Sequence, residues 1–360
     1  MVSRATTLRE PVAVVAAAQT KSHRRFEDAE PQLIMEVVNQ VIEQSGLDRH
    51  DIGFTIAGSC DYLSGMPFAF VSNIDGVGAW PPVYESHVEM DGAFALFEGV
   101  VRLQLGDIDT VLVIGSGKSS PGTPRNVFPL QTDPYTMAPL GLDPISLAGL
   151  QADAMVRAGT ATERDFAEVV SRSRRDAMSN PFAQVAKDIS VDDLLAEPYH
   201  TTPLRQHDLP PISDGACAVL LARGATAEQL SDNPVWITGI DNRIETHHFG
   251  HCDLTTSPST SLAAEKVGLH DGPIDVAELC VRYSPEEIVL RQAMGLADGT
   301  TINPSGGPLA AHPVMATGLI RIAEVATRLA NGEGRRGVAH AASGACLQQN
   351  QLCVLDRERP

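Results

Sequence analysis

The chain has 360 residues, with 27 Lys+Arg against 45 Asp+Glu and a formal net charge of −18. That charge argues against a phosphate-backbone partner such as nucleic acid, and against an anionic membrane surface. A hydrophobic content of 43% supplies a real core and excludes wholesale disorder.

Short apolar runs at residues 12–17, 54–57, 111–114, 216–222, 235–240, 276–279, 338–341 and 352–355 predict strands. The first reads as a buried strand rather than a signal peptide, and no run reaches the roughly 18 residues of a membrane span. Several are nearly continuous, the pattern of strands covered on both faces. Helical spacing recurs over 31–45, 90–105 and 313–329, with Gly46, Gly106 and Gly332 as stops. This alternation predicts an α/β fold with helices on a mainly parallel sheet. It occurs twice, across a polar join, ARGATAEQLSDNPV (222–235). We therefore expect an N-terminal half over 1–225 and a C-terminal half over 226–360. Residues 116–213 are too long for a plain loop and predict a helical insert over a site, with 161–178 its best helix. The six cysteines are scattered without a CxxC pair, so reduced thiols in a cytoplasm are expected.

The clearest chemical signal is INPSGGPLAAHPVMATG (302–318). Gly306 and Gly307 permit close backbone approach, and His312 stands where a loop meets a helix start, suited to an oxyanion. This stretch resembles the C-terminal Gly-His-Pro motif of thiolases. SRSRRDAMSNPFAQ (171–184), TPLRQHDLPPISDGACAVLLA (202–222), LQLGDIDTVLVIGSGKSS (103–120) and ASGACLQQN (342–350) resemble other motifs of that family, in the same order. The likeness is greatest to the sterol-carrier-protein thiolase branch, and within it to the actinobacterial lipid-transfer proteins of steroid side-chain breakdown. It implies a thiolase-like fold: two βαβαβαββ halves in five layers, α-β-α-β-α, with a helical insert.

The departures from the family pattern carry information. HVEMDGAFAL (87–96) puts Glu89 where a thiolase has its nucleophilic Cys, and the final loop has Ala342 where the second Cys belongs. CVRYS (280–284) puts Cys280 at the family His and Val281 at the acidic position, while Cys346 comes four residues late. Only His312 matches. The resemblance implies that His312 and a backbone N–H near Gly344 hold the enolate oxygen of an acyl thioester. Such a site suits retro-aldol cleavage of a bulky, steroidal β-hydroxyacyl-CoA. Tyr283 and Glu89 are the candidates for moving protons, each beside a plainer reading: a core aromatic and a helix-terminal charge. The lyases of this branch carry tyrosines in the motifs matching Cys280 and residues 310–311, and this chain has neither.

Substrate contact is expected from Gly306, Gly307, Cys280 and Cys346, from Tyr135 and Met137 in LQTDPYTMAPLG (130–141), and from His248 in HHFGHCD (247–253). The latter cluster invites a zinc reading but lacks a second ligand pair, so no metal is expected. Arg172, Arg174, Arg175 and Lys187 are candidates for the CoA phosphates, or for a solvated helix face. No permanently bound cofactor is expected, the CoA thioester being substrate. The expected partners are a second copy or another thiolase-like chain, and an OB-fold protein of the DUF35 type. A non-catalytic subunit of a heteromeric complex is the alternative function, and a thiolase using Cys280 or Cys346 a third.

Overall fold

The computed structural model describes residues 8–78 and 83–360. Ten strands form one sheet: β1 (Val12–Gln19), β2 (Phe54–Gly58), β3 (Glu85–Val88), β4 (Thr110–Lys118), β7 (Asp214–Arg223), β8 (Val235–Ile244), β9 (Val276–Glu278), β10 (Thr301–Ile302), β11 (Arg336–Ser343) and β12 (Gln349–Asp356). A separate hairpin in the insert supplies β5 (Tyr199–Thr201) and β6 (Leu204–Arg205). The spatial order is β10-β9-β11-β12-β8-β1-β7-β4-β2-β3, so strands before residue 224 fill one side and later ones the other. They meet where β1 runs antiparallel to β8, Val12 opposite Ile237.

The sheet is mixed, which corrects the expectation of a mainly parallel one. β1, β4, β7, β8, β11 and β12 form antiparallel pairs at its centre. Parallel pairing is confined to the flanks, β2 with β3 and β4, and β9 with β10 and β11. An apolar run reports burial on both faces but not strand direction, so the sequence pattern was silent on this point. All eight predicted strands are present. β3 was missed because its sequence, ESHV, is polar and half-buried at an edge.

Side chains alternate across the sheet as strand geometry requires. Val111 and Val113 face a central cluster, and Leu112 and Ile114 an outer one. The central cluster holds two helices, Gly92–Leu103 and Thr317–Ala330, between strands of both sides. The second is buried on nearly every face, as a helix enclosed by strands from both sides of the sheet must be. It begins four residues later than predicted, because residues 313–316 form a loop in which Met315 takes φ 75°. On one outer face lies the helix Glu30–Ser45, stopped by Gly46 at φ 65°. On the other lie Pro258–Lys266 and Ser284–Met294, packed with the insert helices Pro144–Ala158 and Glu163–Asp176. No helix among the described residues is long and apolar enough to cross a membrane.

Candidate active site

The two central helices meet at their N-termini, and one carboxylate joins them. Asp91 caps Gly92–Leu103, its Oδ1 accepting from Ala93 N at 2.9 Å. The same Oδ1 accepts from Leu319 N at 3.0 Å, and Oδ2 from Gly318 N at 2.9 Å, at the start of the other helix. Each helix start has orphan N–H groups, and Asp91 satisfies three of them across the two helices. Burial pushes its carboxyl up, against the downward pull of these donors.

A cavity of about 210 Å³ opens beside this junction. Glu89, Asp91 and Cys60 line it from the first half, and Phe128, Met137, Leu142 and Leu147 from the insert. Cys280, Arg282, Tyr283, His312, Thr317, Ser343 and Gly344 line it from the second half. The cavity thus gathers the four residues expected to be catalytic, His312, Tyr283, Glu89 and Gly344, together with Cys280 and Met137.

His312 is fixed at two points. Its N–H donates to Ser213 Oγ at 2.9 Å, and its ring Nδ1 lies 2.9 Å from Thr317 Oγ1. The Thr317 hydroxyl also reaches the Pro313 carbonyl at 2.8 Å, which already takes Ala316 N at 3.0 Å. Thr317 can therefore give its proton to Nδ1 without leaving that carbonyl unpaired. In that arrangement Nε2 carries the ring proton and is a donor, whereas a Thr317 proton given to Pro313 would place the ring proton on Nδ1. Burial, then the cations of Arg282 and Arg321, pushes the ring down to about 3, so it is neutral at physiological pH. Arg321 is held by Glu278 and by Ser305 Oγ at 2.6 Å, a buried cluster beneath the loop that carries His312.

Gly344 takes φ 71° and ψ 169°, a region only glycine enters readily. A Cβ there would lie 2.6 Å from Gln348 Oε1. Tyr283 is nearly buried, and burial pushes its phenol up, which keeps it a proton donor. Glu89 departs from the buried helix start expected for it. It is exposed, its Oε1 accepts Asp61 N at 2.6 Å, and the buried cap is Asp91. Asp61 in turn uses its carboxylate on Phe68 N and Ala69 N, which is turn chemistry.

Other expected contacts lie elsewhere. Gly306 and Gly307 are outside the cavity wall; a Cβ on Gly306 would meet Ala177 Cβ at 2.6 Å, so this glycine seats the insert against the second half. Tyr135 is 86% exposed. His248 stands beside the cavity, which His247 and Phe249 line instead. Cys346 lines a neighbouring pocket, its thiol donating to the Leu147 carbonyl at 3.4 Å. Burial pushes Cys280 up to about 11 and Cys346 up to about 12, so neither is a ready thiolate. Arg172 is held by the buried Glu287, which leaves it unsuited to a phosphate. No group of three metal-ligating side chains exists among the described residues.

Sequence reasoning missed Arg282 and Thr317. The signal for Arg282 was a charge set between Val281 and Tyr283 in a motif whose neighbours are apolar. For Thr317 there was none, because its role exists only once the loop 313–316 turns back.

No protein-family model matches the chain. Acetyl-CoA acetyltransferase of Methanothermobacter thermautotrophicus is 27% identical over 364 residues, covering 92% of this chain and 94% of that protein. Sterol carrier protein 2 of Oryctolagus cuniculus is 27% identical over 300 residues, covering 72% of this chain and 54% of that longer protein. The solved structure of the Ltp2-ChsH2(DUF35) aldolase superposes with a TM-score of 0.80 at 21% identity, covering 97% of this chain and 98% of the matched one. The fold is thiolase-like. The thiolase-like chain therefore carries its cavity where two central helix N-termini converge, with sequence relatives among thiolases and sterol carrier proteins.

Proposed function

We propose that the chain is a lyase that cleaves a carbon–carbon bond of a bulky β-hydroxyacyl-CoA, releasing a ketone and a shorter acyl-CoA. The observation that carries this reading is a cavity whose wall brings together His312, Gly344 and Glu89, the last read from the thiolase resemblance as standing where that family has its nucleophilic cysteine. Oxyanion donors stabilise an enolate, and retro-aldol cleavage needs an enolate but no covalent acyl intermediate. His312 Nε2–H and the Gly344 backbone would hold the thioester oxygen. Glu89 would take the β-hydroxyl proton, and Tyr283 would serve as acid. The apolar insert wall suits a bulky acyl group, and we take that group to be steroidal. The aldolase nature and DUF35 chain of the matched structure support the same chemistry and an OB-fold partner for this chain.

The test is turnover of a synthetic tertiary 3-hydroxyacyl-CoA by the purified chain, alone and with a DUF35-type partner. His312→Ala should lower kcat by about 10²–10³-fold, the typical cost of one oxyanion donor. Unchanged cleavage in that variant would refute the mechanism.

A second reading, a non-catalytic subunit paired with an active thiolase-like chain, has one observation in its favour. Phe68, Val71 and Tyr84 are exposed near the edge strand β3, an apolar surface suited to another chain. Activity that requires a second chain with intact thiolase motifs would favour it. On the lyase reading we take 1–225 and 226–360 as two halves of one catalytic unit, and on either reading we place the chain in a cytoplasm with its cysteines reduced.

A further inference from the structure

Behind the loop that joins β11 to β12, a histidine and an asparagine form one ordered hydrogen-bond chain. His340 on β11 and Asn350 on β12 are both fully buried and stand diagonally across that strand pair. Cys280 N, which can only donate, meets His340 Nδ1 at 3.3 Å. Nδ1 is therefore the acceptor and Nε2 carries the ring proton. Nε2 donates it to Asn350 Oδ1 at 2.9 Å. The amide is thereby oriented, and its Nδ2 donates to the Leu347 carbonyl at 2.6 Å and to Ser259 Oγ at 2.8 Å. Burial pushes the ring of His340 down to about 4, so it stays neutral and keeps this proton order at physiological pH.

Both ends of this chain reach the cavity wall. Cys280 lines the cavity at one end, and Gly344, Ala345 and Gln348 line it from the loop whose Leu347 carbonyl Asn350 holds. That loop runs against the preference of its residues. After Gly344 at φ 71°, Cys346 and Leu347 take φ 51° and 58°, the left-handed region that a residue with a Cβ rarely enters. Such a course persists only where the surroundings fix it. The strands fix the loop at its ends, where Ser343 faces Gln349. Within it, Leu347 is 1% exposed, and without the Asn350 amide its carbonyl would lose this buried donor.

We propose that His340 and Asn350 are positioning residues, holding the loop 344–348 in its left-handed course and so keeping the Gly344 N–H aimed at the thioester oxygen. This rests on the lyase reading, in which that oxygen is held by Gly344 and His312. Neither His340 nor Asn350 lines the cavity, so both act through the backbone. With the chain anchored at Ser343 and again at Leu347, the peptide of Gly344 has little room to rotate. A donor to an enolate works because it is aimed in advance, and a small displacement forfeits much of its effect. The buried pair thus sets the direction of a donor that belongs to neither residue.

The experiment takes two readouts on the full-length protein, with its partner if one proves necessary. Amide hydrogen exchange, which needs no substrate, reports the loop. In Asn350→Ala the amides of 344–348 should exchange about tenfold faster or more, while those of β4 and β7 keep their wild-type rates. Kinetics at neutral pH report the donor, with a tertiary 3-hydroxyacyl-CoA for cleavage and propionyl-CoA in D2O for enolisation. Asn350→Ala should lower kcat for cleavage and the enolisation rate together, by about 10²-fold, with KM changed only a few-fold. His340→Gln keeps a donor for Asn350 Oδ1 but loses the acceptor for Cys280 N, so it should lose less on both readouts. Loop amides that exchange at the wild-type rate in Asn350→Ala would overturn the proposal. So would a freed loop with kcat and enolisation unchanged, which would mark a role in folding alone. If Asn350→Ala does not fold, His340→Gln decides: a loop and a kcat both like wild type would overturn the proposal. If the wild type neither cleaves nor enolises, the lyase reading fails and the catalytic role with it, and the amide exchange separates that outcome from a failure of the pair to hold the loop.

Discussion

Asp91 Oδ2 accepts the N–H of Gly318 at 2.9 Å, across 227 residues of chain. The same carboxylate caps its own helix through Ala93. The carboxylate of Asp91 thus occupies N–H groups at the starts of both central helices.

Removing Asp91 should therefore destabilise two helices at once. A cap is worth about 1 kcal/mol, and a substitution that leaves buried N–H groups unpaired costs more. Asp91→Ala should lose roughly 2–4 kcal/mol, read as a lower midpoint in urea. Asp91→Asn, which keeps one acceptor oxygen, should lose less.

Thr317 orients His312 through Nδ1 without reaching the reacting carbons in the proposed chemistry. Thr317→Val should lower kcat by about tenfold to a hundredfold while KM moves little. Thr317→Ser should restore most of it, because the hydroxyl alone does the orienting. Steady-state kinetics on the tertiary 3-hydroxyacyl-CoA separate these outcomes.

The thiols of Cys280 and Cys346 should be dispensable as nucleophiles. With the groups pushed up to about 11 and about 12, the thiolate fraction at neutral pH is on the order of one in ten thousand or less. Cys280→Ser and Cys346→Ser should keep activity within a few-fold, and iodoacetamide protection by acyl-CoA should not map to either residue. Rapid acyl-CoA-protected labelling of one thiol would instead point to a thiolase.

His340 gives a pH signature in stability. It is fully buried, its Nε2 lies 2.9 Å from Asn350 Oδ1, and burial pushes it down to about 4. The unfolded chain takes up this proton near pH 6.5 and the folded one only near 4. Between these values the unfolded state binds more protons, so the contribution rises with pH and is lost as pH falls through that window. His340→Gln should flatten the difference in unfolding free energy between pH 4 and 6.5 by up to about one proton's worth of slope. Urea titrations at half-unit intervals, against the wild type, would show it.

The strands of the core were legible because burial on both faces writes itself as an uninterrupted apolar run, as at 111–114 and 216–222. Direction was not legible, since β4 and β7 are antiparallel through pairings from Thr110 with Ala222 to Lys118 with Asp214, far apart in sequence. The helix at 317 was placed early because Pro313 resembles a helix start, whereas Met315 turns the chain back first. His312 was found through its motif. Arg282 was missed because its neighbours suggested a buried strand end. Nothing local says that the chain turns there so that Glu286, four residues on, clamps this cation at the cavity wall.

The carboxylate shared by two helix starts also governs where the molecule can yield. Pulling the halves apart at the cavity would break two buried hydrogen bonds of this carboxylate at once, from Gly318 N and Leu319 N, so the seam behaves as a rivet rather than a hinge. Entry of a large acyl group must then be admitted by the insert segment at 119–143, built of short turns rather than long helices. Substitutions that stiffen that segment should slow ligand entry and release while leaving the chemical step untouched.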